Sequence, residues 1–212
     1  MQMTALMAGF YRISEWIMRF AYLNLLWIGF SLFGLIAFGF FPATAAMYAV
    51  NRKWVMGEWD IPVFKTFYTA YKTEFVKSNL LGLILVLMGC IFYADYLFFM
   101  QTPNRFEKLL SILFLALFLI YSLLLFYVFP VFAHFNITIY QVIKRSLLLM
   151  FLNPLSSITM IIGSIVVYLT AVTFPALLPI FGASILSYIF TWSAHYNFEK
   201  NQRKKEAFNK VD

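Results

Sequence analysis

Long apolar runs alternate along this chain with shorter segments in which charge returns, and the runs have the length of a bilayer crossing. A helix needs about 20 apolar residues to traverse the hydrocarbon core. Five stretches qualify: 21–41, with Asn24 and Ser31 as polar breaks; 80–100, with one charge at Asp95; 109–132 and 154–174, both uncharged; and 178–198, ending in His195 and Asn197. Pro175 and Pro179 separate the last two. They deny backbone donors there and favour a tight turn. The expected fold is all-α: a polytopic membrane protein in which residues 1–212 form a single helical membrane domain with about five transmembrane helices.

The connections carry periodicity of their own. Ile13, Trp16, Ile17 and Phe20 share one helical face, and Arg12, Glu15 and Arg19 another, which predicts an amphipathic helix feeding the first span. Glu15 and Arg19 stand at the i,i+4 spacing of an ion pair. Asp60 before Pro62 reads as a helix start. Beyond it Phe64, Phe67, Tyr68, Tyr71 and Phe75 recur at helical spacing, opposite Lys65, Thr69 and Lys72. Such an aromatic face with a basic rim fits the inner membrane surface. Segment 137–151 repeats the idea, with Ile139, Ile143, Leu147 and Met150 opposing Thr138, Gln141, Lys144 and Arg145. Both units read span, proline, surface helix, asparagine (Asn79 or Asn153), span, an arrangement of the parallel-repeat type. Residue identity between them is slight, so chance likeness of membrane sequences explains the pattern as well as duplication does.

Composition strengthens the membrane reading. Hydrophobic residues make up 63 % of the chain and charged residues 12 %, against about 25 % charged in an ordinary soluble domain. The net charge of +7 points to membrane orientation rather than to nucleic acid, because the cations flank the spans. Arg52, Lys53, Lys65, Lys72, Lys77, Lys144, Arg145, Lys200, Arg203, Lys204, Lys205 and Lys210 fall on one side of a five-span topology, and Arg12, Arg19, Arg105 and Lys108 on the other. The richer side is expected to be cytoplasmic, with the N-terminus outside and the C-terminus inside; a re-entrant first segment would change this count. The first residues have neither a basic start nor a convincing cleavage site, so the first run reads as a permanent span. The expected location is the cell (cytoplasmic) membrane.

Candidate chemistry is sparse. Cys90 is the single cysteine and lies in an apolar run, where it reads as a small hydrophobe. His134 and His195 stand outside any metal-ligand spacing, and no phosphate loop or nucleophile motif occurs. Neither catalysis, a cofactor nor a metal is expected. Four residues remain as functional candidates. Asn24 is a polar group inside a span, and Pro42 with Thr44 marks a helix break among small residues that also reads as a packed elbow. Asp95 is a carboxylate within a span. It lies about 22 Å beyond Leu80 at the helical rise, among Phe92, Tyr93 and Tyr96, which favours an interfacial role over an ion or proton site.

The stretch Phe10-Tyr-Arg-Ile-Ser-Glu-Trp-Ile-Met-Arg19 with Leu25-Leu-Trp27, the segment Gly39-Phe-Phe-Pro-Ala-Thr-Ala-Ala-Met-Tyr48, Arg52-Lys-Trp54 and Phe75-Val-Lys-Ser-Asn79 resemble the YesL family of bacterial membrane proteins of unknown function. The resemblance covers most of the chain and is strongest over the first 80 residues. It implies a place beside carbohydrate uptake, and hence a non-enzymatic accessory subunit or modulator of an oligosaccharide ABC importer, meeting its permease or ATPase subunits. It supplies no site residues. The competing expectation is an autonomous small-solute transporter or channel acting as a homo-oligomer, with Asn24, the Pro42 break and Asp95 lining a path. A membrane-bound enzyme ranks last.

Overall fold

The computed structural model of the protein describes residues 2–101 and 105–208; the side chains of residues 2–6, 105 and 197–208 lie outside the description. Among the described residues eight α-helices follow in order: α1 (Gln2–Phe33), α2 (Phe40–Val55), α3 (Val63–Thr73), α4 (Phe75–Met100), α5 (Arg105–His134), α6 (Ile139–Leu152), α7 (Pro154–Thr173) and α8 (Ala183–Phe208). No strand occurs among the described residues. Five helical stretches are long and apolar enough to cross a membrane: Met7–Phe33, Phe75–Met100, Phe106–His134, Pro154–Thr173 and Pro175–Tyr196. Only 6 % of the most apolar window of the α4 stretch is buried inside the protein. Leu83, Leu87 and Ile91 stand exposed along it, so lipid has to cover them. This is a multi-pass membrane protein.

The first span differs from its expected bounds. The amphipathic start and the apolar run form one helix, which stops at Phe33 rather than near 41. The turn that follows places Leu35 (φ 57°) and Ile36 (φ 62°) in the left-handed region, a strained place for an isoleucine. Gly34 and Gly39 pass each other there so closely that a Cβ on either would strike the other's backbone. Pro42 was expected to end the first span. It lies instead near the start of α2, where a missing N–H goes unnoticed because first-turn donors have no intrahelical partner.

Helix α2 is the hub. It runs back along α1, with Trp54 against Trp16 and Phe20 and Phe40 against Trp27. Ala43, Ala46, Met47, Val50 and Trp54 enter one core with Leu23, Leu26, Phe67 and Tyr71. Ala45 and Tyr48 enter a second with α4, α5, α6, α7 and α8. Small side chains let backbones approach from both sides. Phe41 occupies the place a side chain at Gly82 would need, Tyr48 stacks on Phe129, and Arg52 reaches the carbonyl of Ala133. Helix α2 therefore lies across the start of α4 and the end of α5.

The aromatic helix predicted after Pro62 is α3, but much of its aromatic face is spent on protein. Phe67 and Tyr71 are buried and pack around Phe30, while Phe64 and Tyr68 stay exposed. Burial pushes the Tyr71 phenol above its usual pKa, and the Tyr48 phenol likewise. In the second predicted unit, α5 runs through Pro130 to His134 instead of breaking at the proline. The first unit also contains an extra buried helix, α2, that the second lacks. The asparagines do behave alike, since Asn79 donates to the Phe75 carbonyl and Asn153 to that of Leu149, each four residues back. The chain reverses between α7 and α8 through a 3-10 turn (Pro175–Leu177) and one π turn (Leu178–Gly182), more helical than a simple loop.

Candidate functional site

The π turn frees backbone groups at membrane depth, and Asn24 answers them. Its Nδ2 donates to the Pro179 carbonyl at 2.6 Å, and its Oδ1 accepts from the Ser184 N–H at 3.0 Å. Non-helical backbone inside a membrane needs such a partner. From there a polar seam follows α8. The Ser187 hydroxyl donates to the Ser184 carbonyl at 3.0 Å and accepts from Asn51 Nδ2 at 2.7 Å, and the Thr191 hydroxyl donates to the Ser187 carbonyl at 2.7 Å. Asn24, Ser184, Ser187, Thr191 and Asn51 are all buried. The seam thus ties α1, α2 and α8 together. A second polar contact joins α7 to α8 at Thr159 and Ser193, 2.6 Å apart, and a third joins α5 to α7 at Tyr127 and Ser157, 2.9 Å apart.

Thr44 joins α1 to α2 separately from this seam. Its hydroxyl donates to the Phe40 carbonyl at 2.7 Å and accepts from Trp27 Nε1 at 3.0 Å. Asn24 and Thr44 are therefore linked to the same α1–α2 hairpin. Asp95 is not; it stands half-buried near the far end of α4, in a turn where Tyr93 meets Phe118 and Phe92 meets Tyr121. The four sequence candidates do not converge on one site.

What does converge is charge at the end of α5. The last carbonyls of a helix carry partial negative charge that favours cations. Arg52 of α2 donates its Nη1 to the Ala133 carbonyl at 2.7 Å. Lys77 of α4 lies 5.5 Å from the centre of the Phe132 ring, and Arg145 of α6 lies 4.7 Å from that of Phe135. Both are cation–π distances. His134 itself comes within 5.8 Å of His195 on α8, so two histidines far apart in sequence are neighbours. Among the described residues no group of three or more His, Cys, Asp and Glu side chains could hold a metal ion. Four helices thus set basic or imidazole side chains around one helix end, a basic collar. The expected tail cations Lys200, Arg203, Lys204, Lys205 and Lys210, and Arg105, have side chains outside the described residues.

The collar and the serines of α8 were missed in sequence. Ser184, Ser187 and Thr191 stand at i, i+3 and i+7, the spacing of one helical face, and that was the legible signal. Arg52, Lys77 and Arg145 belong to three separate segments, and no local pattern joins them.

An all-helical membrane chain with a buried hub and a basic collar is the class these observations define, and comparison with known proteins places it more narrowly. A family model described as "Protein of unknown function, DUF624" matches residues 20–96. The chain is similar to three uncharacterized proteins of Bacillus subtilis (strain 168): YteU, 43 % identical over 84 % of this chain and 79 % of that protein; YesL, 37 % identical over 94 % and 95 %; and YesV, 34 % identical over 94 % and 96 %. It belongs to this family, the one that includes YesL. No solved structure matches.

Proposed function

We propose that the protein is a non-enzymatic accessory subunit or modulator of carbohydrate ABC import in the cell membrane, and that its collar face docks on the importer from the cytoplasmic side. The basic collar carries the reading. Arg52, Lys77 and Arg145 come from three helices locked together around α5, which gives a preorganised basic surface suited to an acidic patch on a permease or ATPase subunit. The resemblance stated from sequence supplies the carbohydrate context. Two of the polar groups near a solute path are engaged within the protein, since Asn24 holds the π turn and Thr44 holds Trp27 and its own helix, while Asp95 stands apart from both near the far end of α4. That favours a docking role over autonomous transport.

The test is affinity purification in mild detergent from cells grown on plant polysaccharide. An importer permease or ATPase subunit is expected to co-purify with the wild-type chain, and an Arg145→Glu variant is expected to lose it. Recovery of no importer subunit, with normal oligosaccharide uptake in a deletion strain, overturns the proposal.

A further inference from the structure

We propose that the groove between α2 and α3 is a binding site for a phosphate-bearing group. The groove holds about 470 Å³ and is lined by Arg52 and Lys53 from α2 and by Lys65, Thr66 and Thr69 from α3. Three cations share one cleft with no carboxylate among its lining residues. Glu58 stands 3.9 Å from Lys53, a loose and exposed pairing that offsets little of that positive charge. Ala49 and Ala70 line the groove too, and their small side chains keep the space between the helices open.

Arg52 gives the cleft its specificity. One end of its guanidinium is fixed by the 2.7 Å bond to the Ala133 carbonyl, while its Nε is buried with no partner among the described residues. A buried donor without an acceptor is costly, and a guanidinium held at one end and lining an open cleft suits an oxyanion. The Thr73 hydroxyl is turned back to its own helix at the Thr69 and Ala70 carbonyls. Those of Thr66 and Thr69 have no such bond among the described residues and are left for phosphate oxygens. Position adds a further constraint. Arg52 meets α5 at Ala133, where that apolar stretch ends at His134, so the groove opens at the level of lipid headgroups. Exposed Phe64 and Tyr68 on the same α3 are suited to the interface beside it.

The same chemistry has two sources, an anionic lipid headgroup and a soluble phosphate ester. The inference stands apart from the importer reading, because it concerns a ligand of this chain alone. The test uses the full-length protein in dodecyl maltoside, titrated with monomeric dihexanoyl phosphatidylglycerol, dihexanoyl phosphatidylcholine, glucose 6-phosphate and inorganic phosphate, and read by thermophoresis. Saturable binding of the anionic lipid over the zwitterionic one is expected if the bilayer is the source; binding of glucose 6-phosphate or inorganic phosphate without the lipid marks a soluble ligand. In either case Lys65→Glu, checked for unchanged circular dichroism, weakens binding on the order of tenfold. Lys72→Glu, on the same helix but outside the groove, changes it by less than about threefold. No saturable binding of any probe, equal binding of both lipids, or equal weakening by the two variants overturns the proposal.

Discussion

Asn24 shows how one side chain can hold a membrane fold together. It is 1 % exposed and serves two backbone groups beside the π turn, the Pro179 carbonyl and the Ser184 N–H. In lipid no water stands ready to replace it. Asn24→Ala is expected to cost about 2 kcal/mol, read as a lower unfolding midpoint in detergent, with the segment 175–184 losing hydrogen-exchange protection first. Asp95 has no comparable tie among the described residues and stands half-buried; Asp95→Asn is expected to change stability by less than about 0.5 kcal/mol. Equal effects of the two substitutions would mean that Asn24 is not the splint described. Asn24 was singled out from sequence because a polar group in an apolar run demands a reason. Its partners are more than 150 positions away, and no local reading reaches them.

At the scale of elements, the turn between α1 and α2 decides whether the hub seats correctly. Gly34 and Gly39 have to remain bare, because a Cβ on Gly39 would meet the Ser31 carbonyl oxygen at 2.5 Å. Leu35 and Ile36, by contrast, hold φ values that glycine adopts freely. Two substitutions in one turn should therefore act in opposite directions. Gly39→Ala is expected to destabilise by roughly 2–3 kcal/mol, while Ile36→Gly, at a position 60 % exposed, is expected to stabilise by about 1 kcal/mol through relief of strain. Thermal unfolding in detergent reads both. The run Pro42-Ala-Thr-Ala-Ala was legible as a place of close helix approach. That α2 is a buried hub between two cores was not, because the residues that cover it come from α3, α4, α5 and α8, distant segments that no local pattern joins.

For the whole molecule, orientation is the open quantity that the collar sharpens. Arg52, Lys77 and Arg145 gather the connections before α4 and after α5 at one end of that helix pair, as a count of cations on one side requires. Single cysteines at exposed Lys65 and Lys144, placed in a Cys90→Ser background, are both expected to escape a membrane-impermeant maleimide in intact cells and to react after permeabilisation. Labelling of one but not the other would break the collar's geometry; labelling of both would invert the orientation. The amino-acid sequence by itself determined the class: apolar runs of bilayer length have to be helices in lipid, since such a run can satisfy most of its backbone groups there only by bonding within itself. It also marked Asn24 as a functional candidate and the small residues after Pro42 as a packed elbow. Tertiary structure alone decided where those residues point, that the aromatic face of α3 is partly spent on protein, and that cations from three segments surround one helix end. The reason is physical: helix formation in lipid depends on local composition, whereas packing between helices of nearly uniform hydrophobicity is set by shape and by the few polar contacts between distant segments.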